Sequence, residues 1–244
     1  MTRVLLAIES SQRTVSVALR TESGAASEVV ADGDPREHDL LLPAIDRICR
    51  DAGVTPRDIG AVAVSTGPGG FTGLRVAVAT AKGLCESLGI PAIDVRSCLV
   101  AAETLRERWS AQGALQGALV AVALASKGSG CWLSVVRTEA DECMTVVEEG
   151  WRDDAQLPPH MCALIADVHA PPGLRSCAAA TGVAVIEPLF TARACLAVAE
   201  RQLRAGQVCD ALSLGVRYPR EPEAVLNWRA RYPTRTDASR GEVR

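Results

Sequence analysis

The residues best placed to do chemistry lie in one turn, Thr66-Gly67-Pro68-Gly69-Gly70-Phe71-Thr72-Gly73-Leu74-Arg75. Glycines at this density let the chain turn tightly and let a ligand or another backbone come close, and the helix that follows offers unpaired N–H groups suited to an anion. Phosphate is one candidate guest and a partner protein is another, because Ala77, Ala79, Ala81 and Gly83 on the following helix permit close helix approach. Plain packing is the third use. A phosphate-binding P-loop needs Lys and then Ser or Thr after its last glycine, whereas Gly73 is followed by Leu74 and Arg75. A dinucleotide fingerprint fits Gly67 and Gly69 but meets Thr72 at its third glycine, and Arg96 and Ser97 lie where a ribose-binding acid belongs.

The elements around this turn follow from periodicity. Val4 to Ile8 reads as a buried strand, Thr14 to Leu19 alternates with period two, and Ser27 to Ala31 adds a third strand. His38 to Ala52 places Leu41, Leu42, Ile45, Ile48 and Cys49 at helical spacing, with Gly53 as its stop. A strand over Ile59 to Val64, the glycine turn, a helix from Gly73 to Leu88 and a strand over Ala92 to Val95 complete the order βββαβα. A helix from Ser97 to Ala111 leads to a joint at Ala111 to Ala114. Strands over Ala118 to Leu124, Cys131 to Val136 and Met144 to Glu148 suggest a second βββ unit, and Thr191 to Gly206 is a helix. Leu157 to Pro172, rich in Pro and His, has no clear assignment. The expected division is a first subdomain over 1–110, a second over 111–227 and an Arg-rich disordered tail over 228–244.

Composition narrows the function classes. A chain of 244 residues, 48% hydrophobic, is long enough for a substantial core. Net charge −3 gives no field able to hold a polyanion unaided, and 3% aromatic residues leave no stacking platform for single-stranded nucleic acid. No apolar stretch approaches a membrane span, Glu9 interrupts any signal core, and the expected location is the cytoplasm. Nine cysteines, scattered from Cys49 to Cys209 with no Cys-x-x-Cys pair, read as buried small hydrophobes. His160, Cys162 and His169 lack the paired spacing of a structural zinc site, so no metal is expected.

His38, Leu41-Leu42-Pro43-Ala44-Ile45, Gly53, Asp58-Ile59, the Gly67 to Arg75 turn, Ala81-Lys82-Gly83-Leu84 and Ile90-Pro91 together resemble the TsaB (YeaZ) family. Tyr218-Pro219-Arg220 is similar to that family's Tyr-x-Arg. The resemblance implies an α/β fold of two subdomains, the actin/Hsp70/sugar-kinase (ASKHA) type, each half βββαβα-like with the second half degenerate. It also implies a place in the bacterial machinery that puts threonylcarbamoyl on an adenosine beside the tRNA anticodon. The partners implied are a TsaD-like catalytic subunit, a TsaE-like ATPase subunit, a homodimer in isolation, and tRNA only through the complex.

Departures from the relatives' patterns bear on catalysis. In that superfold the first hairpin bears an Asp that helps hold metal and phosphate, and this chain has Glu9-Ser10-Ser11, one carbon longer for a site built around tight Mg²⁺ geometry. The family's Asp-Ala-Arg in the second hairpin is replaced by Leu124-Ala125-Ser126, and the metal-binding His-x-x-x-His of TsaD by Ser97 and Ala101. The expectation is a non-catalytic subunit without catalytic residues, metal or cofactor of its own, ATP or ADP lying at or near the partner interface. His38, Leu41, Leu42, Ile45, Arg75, Val78, Ala79 and Lys82 are the expected partner contacts, and Glu9, Ser10, Ser11, Gly67, Gly69 and Gly70 lie nearest any nucleotide. Arg75 has Glu9 and Asp58 as candidate ion-pair partners, and Lys82 can equally be a solvated charge. An ATP-binding phosphotransferase of the sugar-kinase type is the alternative, and a metalloprotease lacks its ligands.

Overall fold

A computed structural model describes residues 4–31, 40–109, 117–127, 130–139, 144–152, 156–218 and 223–232. The first three strands are β1 (Val4–Glu9), β2 (Ser16–Arg20) and β3 (Ala26–Val30), a meander whose neighbours pair antiparallel. Helix α1 (Leu41–Asp51) then crosses to β4 (Ile59–Gly67), α2 (Phe71–Leu88) crosses to β5 (Ala92–Arg96), and both of these strands join the sheet in parallel. The strand order is β3-β2-β1-β4-β5. Helix α3 (Ser97–Trp109) leads out of this unit.

The second unit repeats the order. Strands β6 (Leu119–Lys127), β7 (Gly130–Thr138) and β8 (Met144–Arg152) form another antiparallel meander, β9 (Met161–Ala166) lies parallel to β6, and helix α4 (Pro172–Ala180) leads to β10 (Ala184–Ile186) beside β9. Written from its own third strand, this sheet runs β8-β7-β6-β9-β10, the order of the first sheet over again. That duplication is the two-subdomain arrangement that the family resemblance implies. The copy is degenerate: among the described residues no helix joins β8 to β9. Strand β9 falls in the segment the sequence left unassigned, where Pro158, Pro159 and His160 mask a run of apolar residues.

Alternation along β1 divides the core. Leu5 and Ala7 face a cluster shared with α3 and with α5 (Ala192–Arg204), while Val4, Leu6 and Ile8 face one shared with α1 and α2. Helices α1 and α2 therefore both lie on the outer face of the first sheet, α1 over β2 and β3 and α2 over β4, and α3 and α5 fill the space between the sheets. Residues Ser97 to Leu105 of α3 are all buried, which is why that helix shows little amphipathic contrast. The buried Glu103 ties the layer together, receiving bonds from Arg106 at 2.8 and 3.0 Å and from Arg201 of α5 at 2.5 Å.

The return of the chain differs from the expected boundary at 111–227. The Ala192 N–H donates to Ser16 Oγ at 2.9 Å, Cys209 pairs backbone to backbone with Ala92, and the Arg217 N–H donates to the Thr66 carbonyl at 2.8 Å. Residues 192–217 thus complete the first sheet's cores after the second sheet has formed. The tail expected from 228 is corrected in part, since α6 (Glu223–Arg231) includes its beginning and Trp228 stacks on Tyr232 with ring centroids 4.3 Å apart. The rest of that tail and the joint at 111–114 lie outside the described residues. No described helix is long and apolar enough to cross a membrane.

Candidate functional site

The glycine turn sits at the carboxyl end of β4, and its first neighbour is the β1–β2 turn. A Cβ on Gly69 would stand 2.2 Å from the Ser11 carbonyl oxygen, and one on Gly73 would stand 2.4 Å from that of Ser10. The Gly70 N–H donates to the same Ser11 carbonyl at 2.7 Å. These close approaches between two backbones are what demands glycine here. Gly67, at φ +114°, packs against the Arg217 carbonyl. Ser10 and Ser11 of the first hairpin therefore pack directly on Gly69, Gly70 and Gly73.

Glu9 lies inside the same junction. Its carboxylate accepts from the Ser11 N–H at 2.7 Å, and its side chain is fully buried. Burial raises the carboxyl's pKa above its ordinary value, with hydrogen bonds from Ser11 and Ser65 opposing the shift. Ser65 in turn bonds Ser97 at 2.9 Å, Oγ to Oγ.

A second network closes the end of the sheet. Thr66 Oγ1 donates to Asp94 at 2.5 Å, and Arg217 donates to the other oxygen of that carboxylate at 2.7 Å. The next residue, Tyr218, reaches the first turns of α2: its hydroxyl accepts from Arg75 Nε at 2.7 Å, and its ring lies 5.3 Å from that of Phe71. The Arg75 guanidinium covers the Phe71 ring at 3.6 Å from its centroid. Neither Glu9 nor Asp58 pairs with Arg75, which corrects the expected ion pair; Asp58 is held by Thr55, which donates from both its N–H and its hydroxyl.

The outward faces of α1 and α2 form the other surface of interest. Helix α1 buries Leu41, Ala44, Ile45, Ile48 and Cys49, leaving Leu42, Pro43, Asp46, Arg47 and Arg50 outside. Helix α2 buries Leu74, Ala77, Val78, Ala81 and Cys85, leaving Thr72, Val76, Ala79 and Gly83 along its outer ridge. Leu41, Ile45 and Val78, expected as partner contacts, are therefore corrected: they belong to the chain's own core, where burial of each contributes about 1.5–3 kcal/mol. Leu42, half exposed, and Ala79 do face outward. Lys82 reaches the Leu212 carbonyl at 3.4 Å, and His38 lies outside the described residues. Val76 and the Phe71–Tyr218 pair were missed, the first because small residues all round α2 hide its period, the second because 143 residues separate Arg75 from Tyr218.

Residues 35–123 match the family model of TsaD, tRNA N6-adenosine threonylcarbamoyltransferase. The chain is 31% identical over 136 residues to the tRNA threonylcarbamoyladenosine biosynthesis protein TsaB of Escherichia coli (strain K12), covering 55% of this chain and 56% of that protein. It is 33% identical over 93 residues to the TsaB of Bacillus subtilis (strain 168), covering 38% and 41%. It spans about half the length of the curated relatives it matches. The solved structure of YeaZ from Pseudomonas aeruginosa superposes with a TM-score of 0.70 at 22% identity, over 89% of this chain and all of that one. By these matches the chain is similar to the TsaB (YeaZ) family over part of its length and shares the YeaZ fold over most of it. Three of the positions at which the chain departs from its relatives' patterns are buried. Ser97 and Ala101 lie inside the α3 layer and Leu124 lies in the central core, so none of the three faces solvent. Burial lifts the Cys85 and Cys98 thiols to about 11, which suits cysteines acting as small hydrophobes rather than nucleophiles.

Proposed function

We propose that this chain is a non-catalytic subunit of the machinery that installs threonylcarbamoyl on tRNA adenosine, and that it docks on a TsaD-like catalytic subunit through the outer faces of α1 and α2. The observation that carries this reading is the pair of helices on one face of the first sheet whose outer ridges expose Leu42, Val76, Ala79 and Gly83. Small residues along a ridge let a second helix pair approach closely. The matched TsaD region, residues 35–123, spans both helices, so a TsaD-like subunit carries a corresponding pair. A face that meets its like about a two-fold axis serves a homodimer of this chain and a pseudo-symmetric heterodimer equally. The two states compete for one surface.

The remaining partners are those the family resemblance implies, and charge bears only on tRNA. A chain of net charge −3 leaves the tRNA-binding surface to the catalytic subunit, and a TsaE-like ATPase joins the assembled pair, with ATP or ADP at or near the interface. The setting is the cytoplasm, where tRNA is modified. The test is co-purification and titration calorimetry of this chain with the TsaD-like subunit of the same organism, followed by reconstitution of tRNA modification. A complex that is active only with both subunits present supports the reading. Absence of binding, or nucleotide-dependent phosphoryl transfer by this chain alone, replaces it with the sugar-kinase alternative.

A further inference from the structure

Arg75 is an exposed arginine whose freedom has been removed by folding. Its guanidinium lies 3.6 Å from the Phe71 ring centroid and 5.6 Å from that of Tyr218, and its Nε is bound to the Tyr218 hydroxyl. Tyr218 is itself fixed, because its neighbour Arg217 is anchored through its backbone to Thr66 and through its side chain to Asp94. The clamp thus joins two parts of the chain far apart in sequence. Among the described residues no carboxylate pairs with Arg75. Its two terminal nitrogens remain as a fork of fixed direction, which matches a carboxylate in two parallel hydrogen bonds.

We propose that the Arg75 fork, held by Phe71 and Tyr218, grips a carboxylate side chain of the TsaD-like subunit at the edge of the helix-on-helix contact. The inference rests on the docking reading given above and names its charged anchor. Phe71 and Tyr218 are 49% and 39% exposed, large apolar surfaces that a partner would cover. Arginine and tyrosine in a setting that excludes water on binding dominate protein interfaces, and an arginine already ordered loses little further entropy when its partner arrives. Val76, the next residue, is also exposed and apolar. A site for tRNA phosphates would gather several free cations, whereas among the described residues Arg75 is surrounded by the aromatic and aliphatic surface of Phe71, Val76 and Tyr218, and the nearby Arg217 is paired with Asp94.

Calorimetry of the full chain with the TsaD-like subunit decides it, at low and at raised salt. Arg75→Gln is expected to weaken binding about tenfold and to flatten its salt dependence. Arg75→Lys, which keeps the charge and loses the fork, and Tyr218→Phe, which keeps the ring and releases the fork, are each expected to weaken binding by a few-fold. Each loses one contact at an exposed site, so the melting temperature should fall only slightly in all three. Wild-type binding with unchanged affinity in Arg75→Gln overturns the inference while the docking reading stands; failure of the wild type to bind removes both. Should Arg75→Gln fail to fold, Tyr218→Phe decides, unchanged affinity again overturning the proposal. Loss of tRNA affinity with subunit binding intact would overturn it in favour of a phosphate.

Discussion

Gly69 and Ser11 meet backbone to backbone, so closely that a Cβ on Gly69 would stand 2.2 Å from the Ser11 carbonyl oxygen. Gly70 completes the contact with its N–H bond to the same oxygen. The turn that in a phosphate-binding protein would surround its ligand here surrounds another turn of the same chain. A glycine-rich turn can serve either purpose.

Substituting Gly69 with Ala should therefore act on stability directly. The obstructing atom is backbone and cannot rotate away, so the loss is expected to be about 2 kcal/mol, the usual range for overpacking. Gly83→Ala is the control. Its Cβ would meet nothing within 4 Å in the middle of α2, so this change is expected to stabilise by about 0.5–1 kcal/mol. Urea denaturation of the two variants beside the wild type checks both signs.

Glu103 is the charged centre of the α3–α5 layer, and its two arginine partners are mostly buried beside it. Glu103→Ala leaves Arg201 in the interior without its counter-ion, and the expected loss is about 3–5 kcal/mol. Arg201→Ala should cost less, because Arg106 still pairs both oxygens of Glu103. Reversal of that order, read from thermal or urea unfolding, would show that the layer is held by something other than this triad.

Glu9 makes the stability pH-dependent in an unusual direction. Because burial raises its pKa, the folded chain keeps a proton that the unfolded chain has released, and this contribution to stability declines as pH climbs above the ordinary value near 4.5. The decline ends above the raised folded value. Glu9→Gln keeps an oxygen for the Ser11 N–H and has no charge to bury. It should gain stability over wild type at neutral pH and lose that advantage below about pH 4. Equal stabilities across the whole range would mean that Glu9 is solvated in solution.

Much of the first unit was legible because its strands alternate and its helix α1 has one apolar stripe. The expected strand at Ile59 to Val64 and the stop at Gly53 correspond to β4 and the end of α1. Less could be read where both sides of an element are covered, as in α3, or where small residues erase the stripe, as in α2. Leu41, Ile45 and Val78 show the consequence: apolar residues on a helix near a predicted interface look alike whether they face the sheet or the partner. Long-range pairs such as Arg75 with Tyr218 and Thr66 with Asp94 and Arg217 have no local signal, since folding alone brings them together.

Val78 and Ala79 are adjacent in sequence and separated by function, which allows the docking surface to be tested against the core. Val78 is buried beneath α2 among the strands of the first sheet, so Val78→Arg places an unpaired charge in the interior and should unfold or strongly destabilise the chain. Ala79 faces outward on the ridge with Val76 and Gly83, so Ala79→Arg should leave the melting temperature nearly unchanged. A long charged side chain there holds a second helix away and leaves a charge without a counter-ion at the contact. With both associations on the one proposed face, self-association of the isolated chain and binding to the TsaD-like subunit should both fall by at least about tenfold. Light scattering and calorimetry on the folded Ala79→Arg variant provide the measurement. A variant that loses one association and keeps the other would assign the homodimer and the heterodimer to different surfaces.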